Sequence, residues 1–237
     1  MAKKREEAVL ESFIKLCGFT QNELKKYVAD KLTETHTDVI CSDGYVFAKG
    51  SFPVMLVAHL DTVHKDIPSE VIAYDSLGVI TSPQGIGGDD RCGVYMIFQI
   101  LKDYNCSVLF CEDEEKHGVG SGKFVASEDG ETVKACNFNY IIEFDRKGST
   151  DAVFYKCDNQ EFADFITSDY YVKSKGTFTD ICVLCPHFDR AGVNLSCGYY
   201  RAHRTDEYVV WSDMQRSIKE ACRILARTDK KDIFYFK

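Results

Sequence analysis

The distribution of apolar residues along the chain predicts strands and helices that alternate. Residues 54–60, VMLVAHL, form a nearly continuous apolar run, which is typical of a strand buried on both faces of a sheet. Apolar runs within residues 105–115, 139–145, 152–157 and 191–198 predict further strands. Residues 37–50 and 71–85 each carry two short apolar runs around a turn sequence, which indicates a hairpin.

Apolar residues at helical spacing predict the helices between these strands. Thr20 and Glu23 have the spacing of a capping box, so one helix is expected to begin there and to run to about Lys31. The other predicted helices cover residues 5–17, 90–104, 118–127, 160–166, 179–185 and 206–227. Strands that alternate with helices favour an α/β fold with a central mixed, mostly parallel sheet covered by helices on both faces.

The length and composition favour one ordinary globular domain. The chain has 237 residues, of which 45% are hydrophobic and 28% charged, and it shows neither an internal repeat nor a low-complexity linker. We therefore expect a single domain over residues 1–237.

The charge and the hydropathy exclude several classes of partner. The net charge of −8 argues against binding to nucleic acid or to an anionic membrane, since both require a positive face. No apolar run is long enough to span a bilayer. The first 16 residues, MAKKREEAVLESFIKL, have the pattern of a charged amphipathic helix and not of a signal peptide. The sequence thus predicts a cytoplasmic protein.

The eleven cysteines are an odd number scattered through apolar segments, which is typical of free thiols in a reducing compartment. One alternative use of them stays open. Cys182 and Cys185 have zinc-knuckle spacing, with His187 and Cys197 nearby, although no second Cys-x-x-Cys pair accompanies them.

Histidines and carboxylates follow the predicted core elements at several places. His59 and Asp61 end the first buried strand and, being two positions apart, point to the same side of an extended chain. Ligand sites in open α/β sheets gather at the carboxyl ends of the strands. Two imidazoles and several carboxylates there suit a pair of divalent metal ions. The other residues in such positions are Asp89, Asp90, Asp113, Glu114, Glu115, Asp145 and His203.

Five motifs, taken together and in order, resemble those of the di-zinc exopeptidase superfamily, which includes peptidase T, carboxypeptidase G and the single-domain bacterial aminopeptidases. The motifs are AHLDTV, GIGGDDRCG, EDEE followed by GVGS, IIEFD and AHRTDEYV. The resemblance extends from about Phe52 to Val210. It implies a three-layer α/β/α sandwich that holds two divalent ions, zinc first, with cobalt or manganese as metals that suit the same ligands.

The resemblance also implies a role for each matching residue. Asp61 would orient His59, Glu114 would be the general base, and Asp89 would bridge the two metals with a cis peptide bond after it. Glu143 shares a strand face with Asp145 and is an alternative ligand. The implied metal ligands are His59 and Asp145 for one ion, Glu115 and His203 for the other, and Asp89 for both.

The chemistry of these residue types is consistent with amide hydrolysis. Three carboxylates and one bridging hydroxide balance the four charges of two divalent ions, and the ions lower the pKa of bound water toward ~7. Glu114 would take the proton of that water and transfer it to the leaving amine. Adjacent residues of an extended chain point in opposite directions, which would let Glu114 and Glu115 serve different roles.

The chain departs from part of the family between Asp145 and His203. Relatives of the peptidase T type insert a lid and dimerisation domain there, whereas His203 follows Asp145 by only 58 positions. The GTFTD sequence at residues 176–180 resembles a turn of the members without a lid. Local loops would then supply the substrate contacts, and we expect these from Tyr200 and Arg201, with Tyr199 and Arg204 nearby.

The sequence therefore predicts a metal-dependent hydrolase, most specifically an exopeptidase of the aminopeptidase type acting on short peptides. An amidohydrolase that deacylates N-acyl amino acids is the nearest alternative. Two others remain: a metal-binding relative without turnover, and a two-metal phosphoesterase, which the glutamate pair and the order of the motifs disfavour.

Overall fold

The computed structural model describes residues 2–74, 76–135, 138–229 and 231–236, with residues 2–9 described as helix backbone only. Its helices are α1 (Ala2–Cys17), α2 (Gln21–Leu32), α3 (Gly88–Ile100), α4 (Val119–Val125), α5 (Glu128–Lys134), α6 (Gln160–Thr167), α7 (Ile181–Phe188) and α8 (Trp211–Ala226). Its strands are β1 (Val39–Ser42), β2 (Tyr45–Ala48), β3 (Phe52–His59), β4 (Ile72–Tyr74), β5 (Val79–Thr81), β6 (Cys106–Cys111), β7 (Tyr140–Arg146), β8 (Asp151–Val153), β9 (Val172–Ser174), β10 (Gly192–Ser196), β11 (Tyr199–Tyr200) and β12 (Tyr208–Val210).

Eight of these strands form one mixed sheet in the order β1-β2-β6-β3-β7-β10-β8-β9. The four strands at its centre, β6, β3, β7 and β10, are parallel to one another. β1 is antiparallel to β2, β2 to β6, and β8 to β10, while the edge strand β9 is parallel to β8. The predicted mixed, mostly parallel sheet is therefore confirmed.

The sheet is the middle of three layers. Side chains of β3 alternate between two apolar cores, with Leu56 and Ala58 in one and Met55 and Val57 in the other. The first core contains side chains of α1, α2, α3, α6 and α8. The second contains side chains of α4, α5 and α7. The apolar run of β3 is thus buried on both faces, as its composition predicts.

A second, four-stranded sheet has the order β11-β12-β5-β4. The predicted hairpin of residues 71–85 supplies β4 and β5, and Asp75 at its turn lies outside the described residues. The sequence gives no indication of β11, and it assigns residues 208–210 to the start of the last helix. These residues instead form β12, which pairs with β5, and α8 begins only at Trp211.

The segment between Asp145 and His203 belongs to the two sheets and not to a separate lid. Its strands β8, β9 and β10 extend the large sheet beyond β7, and β11 begins the small one. Helices α6 and α7 pack on opposite faces of the large sheet. The structure therefore agrees with the prediction that this chain lacks the inserted domain.

α3 lies close to the sheet at its amino-terminal end. Gly93 faces β7 so closely that a Cβ atom there would lie 1.9 Å from the carbonyl oxygen of Phe144 and 2.5 Å from the Asp90 carboxylate. Only a glycine allows this approach. The contact fixes the first residues of α3, where Asp89 and Asp90 have non-helical backbone angles.

The ten cysteines within the described part of the chain are all free thiols, as predicted, and most are buried. Cys136 lies outside the described residues. No helix in the described ranges combines the length and the apolar character that crossing a membrane requires.

Candidate metal centre

The parallel strands at the centre of the large sheet end at one edge, and the residues singled out in the sequence gather there. His59 is the last residue of β3, and Glu114 follows β6. Asp145 lies near the end of β7. His203 follows β11, which is the next strand after β10 in the chain. These residues therefore lie where ligand sites of open α/β sheets gather.

His59 is fully buried and contacts three carboxylates. Its Nε2 atom lies 3.0 Å from Asp89 Oδ1 and 3.3 Å from Asp145 Oδ1. Its Nδ1 atom lies 3.1 Å from Asp61 Oδ1 on the opposite side of the ring. A carboxylate on the second nitrogen is the usual means of fixing a metal-binding imidazole, so Asp61 occupies an orienting position and Nε2 faces the cluster.

Asp61 also holds the loop after β6. Its Oδ1 and Oδ2 atoms accept hydrogen bonds from the backbone N–H groups of Glu114 at 2.9 Å and Glu115 at 3.1 Å. The two glutamates lie in a single 3-10 helical turn, Glu114–Lys116. The extended backbone expected for them from the sequence is therefore absent. Their side chains nevertheless reach different neighbours, because Glu115 binds His203 while Glu114 lies buried at the cavity.

Asp89 lies between the two histidines. While its Oδ1 atom contacts His59, its Oδ2 atom lies 3.2 Å from His203 Nε2. His203 Nε2 is in turn 2.8 Å from Glu115 Oε1. A carboxylate with one oxygen toward each imidazole has the arrangement expected of a bridging ligand. The peptide bond from Asp89 to Asp90 is cis, as the resemblance implied.

Both oxygens of Asp90 bind backbone N–H groups. One accepts the N–H of His59 at 3.1 Å, and the other accepts the N–H of Gly93 at 2.8 Å. That Asp90 follows the bridging ligand without being one stays a prediction, since its carboxylate is also close to His59 and Asp145.

Glu207 is a residue of the site that sequence reasoning missed, although it lies within the AHRTDEYV motif. It is fully buried, and its two oxygens accept the N–H groups of Asp89 and Gly87, each at 3.0 Å. His64 lies 2.9 Å from Glu207 Oε2. The carboxylate of Glu207 thus fixes the backbone that presents Asp89. Its partners lie about 120 residues away in sequence, so no local pattern indicates this contact.

The structure distinguishes Asp145 from Glu143. Glu143 is fully buried and accepts the N–H groups of Asp180 at 3.2 Å and Ile181 at 3.3 Å, at the beginning of α7. Asp145 instead reaches His59 at the cavity. Its Oδ2 atom accepts a hydrogen bond from the Thr179 hydroxyl at 2.9 Å, within the GTFTD turn.

The electrostatics show an excess of negative charge at the site. Burial raises the pKa of Glu114 to about 9, with added repulsion from Asp145. Burial and the charge of Asp89 raise the pKa of Asp145 to about 6. Hydrogen bonds to Asp89 and Glu115 raise the pKa of His203 to about 10. Burial and the mutual repulsion of the carboxylates thus raise the pKa values of Glu114 and Asp145, while their attraction raises that of His203.

The donor set fits divalent metal ions. Imidazole and carboxylate groups are the ligands that zinc, cobalt and manganese accept. Within the described residues, the three groups of side chains close enough to share an ion are all drawn from this edge of the sheet and contain no cysteine. Cys182 and Cys185 lie on α7, away from these groups, so the alternative zinc knuckle has no support among them. The groups are His59 with Glu114 and Glu115, His59 with Asp90 and Asp145, and Asp89 with Glu115 and His203.

The cluster opens into a cavity of about 570 Å³. Tyr199 lines this cavity, and its hydroxyl donates to Asp145 at 3.1–3.3 Å. Tyr200 and Arg201, the expected substrate residues, lie outside the lining. The Tyr200 hydroxyl donates to Asp213 at 2.5 Å, and Arg201 pairs with Asp206 at 2.6 Å. The alternation of β11 explains the position of Tyr200, since neighbouring strand residues face opposite sides. Arg201 follows the strand with a φ of 61°.

Comparison with solved structures places this fold among those of aminopeptidases. The chain is similar to aminopeptidase PepT from Bacillus cereus, with 14% identity, a TM-score of 0.73 and coverage of 92% of this chain and 97% of that one. It is also similar to a tripeptidase from Staphylococcus aureus, with 13% identity, a TM-score of 0.73 and coverage of 94% and 99%. A third similar structure is an aminopeptidase from the archaeon Desulfurococcus kamchatkensis, with 13% identity, a TM-score of 0.70 and coverage of 95% and 96%.

No protein-family model matches the sequence, and no curated sequence matches it significantly. The resemblance that the motifs indicated is confirmed at the level of the fold. This chain therefore has the three-layer α/β/α fold of the aminopeptidases and the tripeptidase to which it is similar.

Proposed function

We propose that residues 1–237 act as one catalytic domain, a metal-dependent hydrolase that cleaves an amide bond, and specifically an exopeptidase of the aminopeptidase type on short peptides. The observation that carries the proposal is the position of Asp89 between His59 and His203, with Glu114 buried beside them. The aminopeptidase fold supports the same reaction class.

The proposed ligands divide into two sets that share Asp89. His59 and Asp145 would hold one divalent ion, and Glu115 and His203 would hold the other. When bound, such ions supply Lewis acidity and a water of lowered pKa, toward ~7. Zinc is the first choice because one similar structure is described as a candidate zinc-dependent exopeptidase.

The chain's own groups move and hold the protons of the reaction. Glu114 lies beside the ligands without belonging to either set, so its carboxylate is the group that takes a proton from the attacking water and gives it to the leaving amine. Asp61 keeps Nδ1 of His59 hydrogen-bonded at 3.1 Å and so directs Nε2 to the cluster. The Tyr199 hydroxyl holds Asp145.

Deacylation of N-acyl amino acids is a second function that the same groups support, because it also cleaves an amide beside a free carboxylate. A metal-binding protein without turnover would not need a buried, unliganded carboxylate in the position of Glu114. Phosphoester hydrolysis is the least favoured, since the fold and the glutamate pair both agree with peptide cleavage.

The test combines metal analysis with a substrate screen on wild type and on Glu114→Gln. We expect two ions per chain in both proteins, and we expect turnover of aminoacyl or N-acyl amides in the wild type to fall by about 10²–10⁴-fold in the variant, the size of a general-base contribution. Isothermal titration with zinc, cobalt and manganese gives the stoichiometry, and kcat/KM gives the turnover.

Glu115→Gln is the matched control, because it removes the neighbouring carboxylate instead. This variant should lose affinity for the second ion, whereas Glu114→Gln should keep both. Retained turnover in Glu114→Gln would refute its role as base. Failure of the wild type to bind any of the three metals would refute the proposal as a whole.

A further inference from the structure

The cavity beside the cluster is lined by charges of both signs. Within the described residues, the four carboxylates that line it all belong to the cluster: Asp89, Glu114, Glu115 and Asp145. Its other charged lining residues, apart from histidines, are the cations Arg146, Lys147 and Lys175. A ligand that places a polarised carbonyl at the cluster would therefore extend toward positive charge.

The charge of Arg146 is neutralised by an ion pair with Asp151, whereas the charges of Lys147 and Lys175 have no such partner among the described residues. The guanidinium of Arg146 donates two hydrogen bonds to Asp151 Oδ2, at 3.1 Å and 2.9 Å. For Lys147 and Lys175, the described part of the chain provides no ion-pair partner and no side-chain hydrogen bond. Two exposed ammonium groups, with no ion pair in the described part of the chain, thus border the same cavity as the carboxylates of the cluster.

Hydrogen bonds to β10 and β11 anchor the backbone that carries Lys147. The carbonyl of Lys147 accepts a hydrogen bond from the Ser196 hydroxyl at 2.9 Å, and the next residue, Gly148, donates to the carbonyl of Tyr199 at 2.8 Å. Lys147 therefore follows Asp145 by two residues on a segment fixed to β10 and β11.

Lys175 begins a loop whose residues 175–178 line the cavity. Gly176 packs so tightly on the Tyr155 ring that a Cβ atom would lie 2.5 Å from it. Phe178 packs over Gly118 in the same manner, at 2.9 Å from a Cβ placed there. Thr179 then donates to Asp145. These contacts hold the loop, and with it Lys175, over the cavity.

We propose that Lys147 and Lys175 bind a free carboxylate of the substrate, one or two residues beyond the amide that is cleaved. The proposal rests on the proposed function and specifies its substrate class: short peptides with a free carboxyl terminus, in preference to chain-internal or amidated sequences. A cavity of about 570 Å³ is of the size that accommodates a small ligand. Ammonium groups recognise a carboxylate by charge-assisted hydrogen bonds.

The experiment compares leucylglycine with leucylglycinamide, and Leu-Gly-Gly with its amide, on the metal-loaded protein. We expect wild-type kcat/KM to be about tenfold higher for each acid than for its amide, mainly through KM, because one charged hydrogen bond contributes about that much. In the double variant Lys147→Ala/Lys175→Ala the ratio should fall to about one. Raising the salt concentration should lower the wild-type ratio.

One control variant tests whether the charge of the two lysines is sufficient for the acid preference. The other tests whether the effect is specific to this cavity. The double variant Lys147→Arg/Lys175→Arg keeps the charge and should keep most of the acid preference. Lys65→Ala removes an exposed lysine from a second cavity, of about 540 Å³, on the other side of Asp61 and Glu115, and should keep the wild-type ratio.

A second readout keeps this proposal distinct from the proposed function. Calorimetry with a reduced-amide analogue of leucylglycine, as acid and as amide, measures carboxylate binding without turnover, and the acid should bind about tenfold more tightly. If no amide is cleaved but the acid preference in binding is present and is lost in the alanine double variant, only the proposed function fails. The carboxylate site would be refuted if the wild type bound and cleaved acid and amide equally well. It would also be refuted if the acid preference remained after both alanine substitutions.

Discussion

Asp61 and Glu207 are not proposed as ligands. Their carboxylates hold the backbone segments that carry the proposed ligands. Asp61 accepts hydrogen bonds from the backbone of the Glu114–Lys116 turn as well as contacting His59. Glu207 does the same for the backbone on either side of Gly88. Each uses both oxygens on fixed donors, so the ligand side chains are positioned before any ion binds. Such outer contacts commonly change metal affinity by about 10–100-fold.

Replacing Glu207 by glutamine tests this positioning role. The amide keeps one acceptor oxygen but presents an NH₂ group where the second oxygen accepted an N–H, so one backbone bond at Gly87 or Asp89 is lost. We expect zinc affinity to fall about 10–100-fold, as measured by isothermal titration. Asp206→Asn, at the exposed neighbouring position, should leave zinc affinity unchanged. Equal affinities of wild type and Glu207→Gln would show that the contact is not needed to position Asp89.

At the residue scale, the sequence predicts residue types near the site better than their individual contacts. Glu143 and Asp145 share one face of β7, so periodicity alone leaves both as ligand candidates. The choice depends on α7, whose first N–H groups bind Glu143. Tyr199 and Tyr200 pose the same problem, because which of them faces the cavity depends on how β11 pairs with β12.

At the scale of elements, long apolar patterns predict structure and short polar ones do not. β3, β6 and β7 are recognisable because their side chains are buried on both faces. β9 has the sequence VKS and is largely exposed, and β11 has only two residues. α5, EDGETVK, has a single large apolar residue. These three elements exist through pairing or packing with distant segments, which a local pattern does not contain.

The approach of α3 to β7 gives a prediction at this scale. In Gly93→Ala the new methyl group would overlap the carbonyl of Phe144, so α3 must shift, and we expect a loss of about 1–3 kcal/mol in the free energy of unfolding. Urea denaturation measures this change. Gly122→Ala, in α4, meets no atom within 4 Å and should instead stabilise the protein by about 0.4–1 kcal/mol. A neutral Gly93→Ala variant would mean that α3 is not held where the structure places it.

For the whole molecule, the acidic cluster dominates the electrostatics of the sheet edge. Buried and partly buried carboxylates gather there, and those of Glu114 and Asp145 have raised pKa values. Protons and divalent ions therefore compete for the same groups. The stability of the molecule should depend on pH differently with and without metal.

The expected direction follows from His203 and Glu114. The pKa of His203 is raised from 6.5 to about 10, and that of Glu114 from 4.5 to about 9. A folded state with raised pKa values binds more protons than the unfolded chain, so its stability falls as pH rises between the unfolded and folded values. After treatment with a chelator, Tm should decrease steadily from pH 6.5 to pH 9.

Saturating zinc is the control for this pH series. Zinc requires deprotonated ligands, and its binding strengthens as protons are removed. The decrease in Tm should therefore disappear or reverse in the zinc-loaded protein. A metal-free protein whose Tm is constant over this interval would contradict the proton-binding role of His203 and Glu114.

The proposed ligands, from His59 to His203, extend over most of the sequence. A ribosome that has released β3, β6 and β7 has delivered only part of the proposed donor set, because the last imidazole, His203, follows β11. On the proposed assignment, a nascent chain must therefore expose β11 before the second set of ligands is complete. A fragment that stops short of β11 would lack one of the proposed ligands.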